Sequence, residues 1–202
     1  MTFLVRQANL RDVRDITLLQ RHALAEGILA RLPQGTQYRF FTWLIGHIDT
    51  RTWVAETPSG EVVGFITTTR FELRPPFRIS VEMAIGVLFF LVKNPSEWRI
   101  AKYHIMRRFW PNVSTRREIF SFAVDERFQP QSLGAWLWRR AIAEETRRGC
   151  RIFVLSTHNT DLLNFYTRAL SATVLGCHNL GSYEVYDLEF EVALSSGDPR
   201  TL

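Results

Sequence analysis

The chain has 202 residues, 46% of them hydrophobic and 22% charged, a balance that excludes a disordered tail or a fibre as its main character. That length builds one well-packed domain and is short for two. The net charge of +5 comes almost wholly from arginine, since Lys93 and Lys102 are the only lysines, and two cysteines, Cys150 and Cys177, are too few for a disulfide framework and point to a reducing compartment.

The first residues lack the basic start, apolar run and small-residue cleavage site of a signal peptide, so a cytoplasmic protein is expected. Residues 3–8 have the pattern of a first strand. Asn9, with Asp12 three positions on, is placed to cap a helix whose apolar positions Val13, Ile16, Leu19, Ala23 and Leu24 keep a three-four spacing. A second helix, rich in aromatic residues, is expected over about Gln37 to Ile48. Two β-rich runs, Trp53 to Glu56 and Glu61 to Ile66, flank Thr57-Pro58-Ser59-Gly60, and Pro then Gly between such runs marks a hairpin.

Residues 71–117 break the pattern. They hold Pro75-Pro76, the charge-free run Met83 to Val92, and a basic aromatic stretch with no Asp or Glu from Arg99 to Arg117. As a helix the apolar run would rise about 15 Å, half a bilayer core, so it spans no membrane alone. The segment is expected to be a mostly helical insertion between two strands. Its basic stretch reads most simply as a solvated helix face plus loop; an acidic partner (nucleic acid or anionic lipid) and recognition of an anionic acceptor or coenzyme phosphates are the functional readings. The apolar run reads as core, with an acyl-chain pocket as the alternative.

Beyond it, Ile119 to Val124 reads as a strand buried on both faces, Asp125 to Gln131 as a loop, and Ser132 to Arg148 as a helix closed by Gly149. A strand over Arg151 to Ser156, a helix over Thr160 to Leu170, strands over Thr173 to Gly176 and Glu184 to Val192, and a loose tail from Ser195 complete the chain. This order implies an α/β fold with a mixed sheet and crossover helices.

The turn between Val124 and the following helix carries the first chemical signal. A helix N-terminus offers unpaired N–H groups and the positive end of the helix dipole, which suits a phosphate, and Gly134 lets an anion approach the backbone. By spacing alone most such turns bind nothing. The segment resembles the acyl-coenzyme A loop of the GNAT superfamily of N-acetyltransferases, whose pattern is Gln or Arg, two residues, Gly, one residue, Gly or Ala. Gln129 holds the first position, Ser132 stands where the first Gly is usual, and Gly134 is the last. Leu137 and Trp138 fall where the family has bulky apolar residues. Asn159 to Tyr166, followed by Leu170, resembles the family's Asn-to-Tyr signature after the fifth strand. The resemblance covers about residues 3–70 and 118–192 and omits the insertion.

That resemblance implies the acyl-CoA N-acyltransferase fold: a mixed, mostly antiparallel sheet of about seven strands with flanking helices, in one domain over residues 1–202 with a helical insertion between strands 3 and 4. It implies an N-acetyltransferase that takes acetyl-CoA as co-substrate and a small amine as acceptor. The coenzyme would lie along the backbone of Val124 and on the N–H groups of Gln131, Ser132, Leu133, Gly134 and Ala135, with Gln129, Asn159 and Tyr166 beside it. Tyr166 would stabilise or protonate the departing thiolate, whose ordinary pKa is about 8.5. Two departures stand out: Ser132 adds a Cβ where the backbone should approach the pyrophosphate, and Pro130 has no N–H.

Plain alternatives stand beside these roles. On spacing alone Tyr166 reads as a core residue, and Asn159 reads as a helix N-cap, a role compatible with contact to the cofactor. Glu118 is the candidate base, with Glu82 and His158 behind it, and a merely solvated Glu118 is its alternative. The five histidines show no metal-ligand spacing, so no metal is expected, and Cys150 reads as a buried structural thiol. Transfer of a longer acyl chain, and a non-catalytic module that senses coenzyme A or binds nucleic acid, are the rival functions. Nucleic acid is the disfavoured partner, and a homodimer is left open.

Overall fold

The structure, a computed structural model, describes residues 2–25, 27–70, 76–95, 98–99, 102–103, 116–180 and 183–192. The chain begins with β1 (Leu4–Gln7) and a 3-10 turn (Leu10–Asp12) that runs into α1 (Val13–Ala23), followed by the short α2 (Ile28–Arg31) and α3 (Gln34–Gly46). A hairpin of β2 (Thr50–Glu56) and β3 (Val62–Thr69) leads to α4 (Phe77–Lys93), β4 (Arg116–Val124) and a 3-10 segment (Glu126–Gln131). Then come α5 (Leu133–Arg147), β5 (Ile152–Thr157), α6 (Thr160–Ala169), β6 (Thr173–Asn179) and β7 (Glu184–Glu191).

The strands form one seven-stranded sheet in the order β1-β2-β3-β4-β5-β7-β6. Every neighbouring pair is antiparallel except β4 with β5, so the expected mixed, mostly antiparallel sheet with flanking helices is the one found. Local chemistry sets several boundaries. The Asn9 side chain accepts from the N–H of Arg11 at 2.9 Å, and Asp12 returns the bond by accepting from the N–H of Asn9 at 2.7 Å. This closes a capping box ahead of α1. Gly149, at φ +88°, ends α5 in a left-handed conformation that costs glycine little.

Two apolar layers sandwich the sheet. Leu137 and Ala141 of α5 and Tyr166 of α6 pack with Trp53, Ala55, Ile66, Phe153 and Leu188. Val13 and Ile16 of α1 and Phe40 and Phe41 of α3 pack with Val54, Phe65 and Ala123. Full burial of each valine, leucine, isoleucine or phenylalanine among them contributes about 1.5–3 kcal/mol, which is what holds helices to sheet. Gly64 allows the closest approach: a Cβ there would lie 2.9 Å from Leu137 Cδ1 and 3.3 Å from the Ala123 carbonyl. Gly64→Ala is therefore expected to destabilise by about 1–3 kcal/mol through overpacking. Urea denaturation checks it, with Gly46→Ala as the control, since nothing lies within 4 Å of a Cβ there.

Several boundaries differ from the sequence expectations. Helix α3 starts three residues earlier than expected, at Gln34 straight after Pro33, and Gln37 reaches back to donate to the carbonyls of Ala30 and Leu32 at 2.9 and 2.7 Å. The expected loop before α5 winds as a 3-10 segment over Glu126–Gln131. The insertion is helical at α4, as expected, but it does not reach residue 117. Arg116 and Arg117 belong to β4, where Arg116 meets Glu189 at 3.0 Å and Arg117 meets Glu145 at 3.0 Å. Partners on distant elements make two arginines affordable inside a strand, which no local pattern reveals. The rest of the insertion, residues 71–75, 96–97, 100–101 and 104–115, and the tail from 193, lie outside the described residues.

Candidate active site

Strands β4 and β5 pair only at Arg116–Ile152, Arg117–Phe153 and Glu118–Val154. Beyond that point β4 stays bonded to β3 as far as Gly64–Val124, and β5 stays bonded to β7 as far as Thr157–Tyr186. The two parallel strands therefore part, and no ladder bond joins residues 119–124 to residues 155–157. Crevices at the carboxyl ends of parallel strands are common ligand sites, because main-chain polar groups there want partners. The parting has a local contributor. Register against β3 slips between Thr67–Ser121 and Thr68–Ile119, so Phe120 is an extra residue that bends β4.

The open end of this cleft leads into α5. Ser132, at φ 58° and ψ 20°, stands before the helix in the left-handed region, and no side chain caps the helix start. The first helical bond runs from the N–H of Trp136 to the carbonyl of Ser132 at 3.2 Å, so the N–H groups of Leu133, Gly134 and Ala135 come ahead of the ladder. Together with the helix dipole they form an electropositive cradle. The left-handed turn also explains why a glycine suits this position: a serine there stores roughly 1 kcal/mol of strain. Gly134 has a packing reason of its own, since a Cβ would sit 3.2 Å from Phe122 Cζ. The side chains of Gln129, Pro130 and Gln131 lie outside the described residues.

Asn159 caps α6, its side-chain oxygen accepting from the N–H groups of Asp161 at 2.8 Å and Leu162 at 3.0 Å. The N-cap reading of this residue therefore holds. Tyr166 is 5% exposed, and its ring stacks on Trp138 with centroids 5.4 Å apart. Trp138 in turn lies 6.1 Å from Phe122 of β4 and 5.5 Å from Phe190 of β7, so one indole spans the parted halves of the sheet. Burial pushes the Tyr166 phenol up to about 12, and its hydroxyl makes no hydrogen bond among the described residues. The ring is enclosed, but the hydroxyl is not among the buried polar atoms sealed off without a partner, so solvent or an entering group can reach it.

Glu118 sits half-buried at the last β4–β5 pair, where the strands begin to part. Its neighbours Arg117 and Ile119 turn to the α5 side, so alternation puts Glu118 on the opposite face. Glu82 is tied to Arg39 at 2.6 Å, and the His158 ring lies 5.3 Å from that of Tyr183. Sequence reasoning missed a polar cluster on the Glu118 face. The buried Asp187 accepts from the hydroxyls of Tyr103, at 2.6 Å, and Ser156, and His178 Nε2 lies 3.0 Å from its other oxygen. These four residues share no sequence spacing, and the last strand also carries Glu184, Glu189 and Glu191, so nothing in its sequence singles out Asp187. Among the described residues no group of His, Cys, Asp and Glu could hold a metal ion. Cys150 is buried, and desolvation pushes its thiol up to about 11, which agrees with a structural role.

The family model described as "Acetyltransferase (GNAT) family" matches residues 20–171. No curated protein matches the sequence. Among solved structures, the ribosomal-protein-S18-alanine N-acetyltransferase from Escherichia coli superposes with a TM-score of 0.61 at 14% identity, covering 98% of both chains. A GNAT superfamily phosphinothricin acetyltransferase from Sinorhizobium meliloti, in complex with acetyl-CoA, gives 0.62 at 15% identity, over 98% of this chain and 92% of that one. The PaiA N-acetyltransferase from Thermoplasma acidophilum, in complex with coenzyme A, gives 0.60 at 12% identity, over 95% and 100%. At such identities the likeness speaks for the fold.

Proposed function

The chain belongs to the GNAT acetyltransferase family, and from that premise we propose that it transfers an acetyl group from acetyl-CoA to the amine of a small molecule. The observation that supports this most is the parting of β4 from β5 directly into the uncapped start of α5. The N–H groups of Gln131 to Ala135 would hold the pyrophosphate, and the β4 edge at Val124 would take the pantetheine amides as a strand takes its neighbour. Gln129 and Asn159 would flank the arm. The co-substrate supplies an acetyl carbonyl activated as a thioester. Glu118, where the strands part, would take the proton of the incoming amine. Tyr166 would face the departing sulfur. With its phenol at about 12 and an ordinary thiol at about 8.5, hydrogen-bond donation to the developing thiolate is favoured over complete proton transfer.

Calorimetric titration with acetyl-CoA tests the reading, and absence of binding at millimolar co-substrate would sink it. Thiol release with acetyl- and octanoyl-CoA against a panel of amines then separates acetyl from longer-chain transfer. The Ser132→Gly variant gives a sharper check. It relieves the left-handed strain and removes a Cβ from the cradle, so it is expected to gain about 1 kcal/mol in stability and to bind coenzyme A more tightly. Weaker coenzyme binding by this variant would show that the serine hydroxyl contributes a contact of its own.

A further inference from the structure

Helix α4 has two apolar faces and uses one. Inward, Ile79 and Met83 join the core under α1 and α3, Leu91 is buried, and Glu82 is held by Arg39 at 2.6 Å. Gly86 presses against the turn before α3, where a Cβ would lie 2.9 Å from Leu32 and 3.3 Å from Pro33. On the other side Val81, Ile85, Leu88, Phe89 and Val92 are between 37% and 68% exposed. Their spacing keeps them within roughly 100° of helix surface, a continuous stripe. Patches of this kind mark interaction sites rather than bare surface.

The charges along α4 and the described residues after it select the stripe's occupant. Among them Arg78, Lys93, Arg99 and Lys102 stand against one acid, Glu82. Glu82 is already paired with Arg39 and lies 3.5 Å from Arg78. Arg78 and Lys93 stand exposed at the two ends of α4, and exposed Trp98, Arg99 and Lys102 follow it. A second copy meeting this face about a twofold axis would set cation against cation. Nucleic acid would satisfy the cations but leave the aliphatic stripe in water. An anionic lipid layer satisfies both, taking the apolar stripe inward and the cations at its headgroups. No described helix is long and apolar enough to cross a membrane, and the 17 residues of α4 span about 25 Å, so the helix would lie in the surface plane.

We propose that α4, with Arg99 and Lys102 after it, docks this protein on an anionic lipid surface. The docking stands apart from the transferase reading and needs no coenzyme. Co-sedimentation of the full chain with vesicles tests it. Binding is expected to equimolar phosphatidylglycerol and phosphatidylcholine, not to phosphatidylcholine alone, and to weaken as salt rises. The double substitution Leu88→Gln with Phe89→Gln is expected to weaken binding by about tenfold or more at unchanged thermal stability, and Lys93→Gln by about fivefold. No binding to the anionic vesicles, or undiminished binding by the double variant, would overturn the proposal. So would an oligomer, seen by analytical ultracentrifugation, that the double variant dissolves while vesicles go unbound, or a nucleic-acid gel shift in place of lipid binding. Coenzyme A titration on the same samples distinguishes failure here from failure of the transferase reading.

Discussion

Replacing Tyr166 with phenylalanine is expected to lower the turnover number of acetyl transfer by roughly two to three orders of magnitude and to change coenzyme A affinity little. The ring stays, so its stack on Trp138 survives; only the hydroxyl, which no described residue engages, is lost. Unchanged turnover on a true substrate would leave Tyr166 as a packing residue. The same substitution carries a pH signature. A phenol raised from 10.0 to about 12 binds its proton more tightly in the folded state. Its contribution to stability is therefore complete below pH 10 and is lost as pH climbs to about 12. Across that window the wild-type chain should lose about 3 kcal/mol more than Tyr166→Phe. Tyr186, also raised to about 12 by its bond to Glu184, is present in both proteins and cancels. Urea denaturation at pH 9 and above pH 11 measures the difference.

Replacing Glu145 with alanine is expected to destabilise the fold by about 3–5 kcal/mol, a large share of the roughly 5–15 kcal/mol a domain has. Glu145 is fully buried on α5 and accepts from Arg51 at 3.1 Å, Arg117 at 3.0 Å and the Thr68 hydroxyl at 2.7 Å. Burial already pulls the Arg117 guanidinium below its ordinary value, with Glu145 opposing that pull. Removing the carboxylate would strand two enclosed cations. The network joins α5 to β2, β3 and β4 about 18 Å along the helix from its first turn, so it fixes the direction in which the cradle points. Glu145→Gln, which keeps a hydrogen-bonding shape without the charge, should fall between the two. A urea midpoint unmoved by Glu145→Ala would remove this account.

What the amino-acid string made legible was local. The Asn9–Asp12 box, the turn at Thr57 to Gly60, the stop at Gly149 and the cap at Asn159 each involve groups within four positions, and all stand in the structure. What it hid depends on distant partners. Arg117 reads as a solvated cation until Glu145, 28 positions on, closes over it. The Asp187 cluster draws on three strands and Tyr103 of the insertion, and the parting of β4 and β5 arises from a bulge and a parallel crossover that leave no pattern in either strand. At the candidate site, likeness to the family indicated where a glycine is usual, whereas the reason, a left-handed residue at 132, came only from the backbone.

Only three residue pairs stitch β4 to β5. The sheet is thus two panels, β1 to β4 and β5 to β6, joined by a short seam at one end and by the Phe122–Trp138–Phe190 rings across the gap. Sliding rings tolerate small changes in angle that a full ladder forbids, so the panels can flex about the seam and let a bulky molecule enter without breaking either one. Deuterium uptake should report this as two blocks of protected amides with a fast-exchanging margin between them, a margin that slows once something fills the gap.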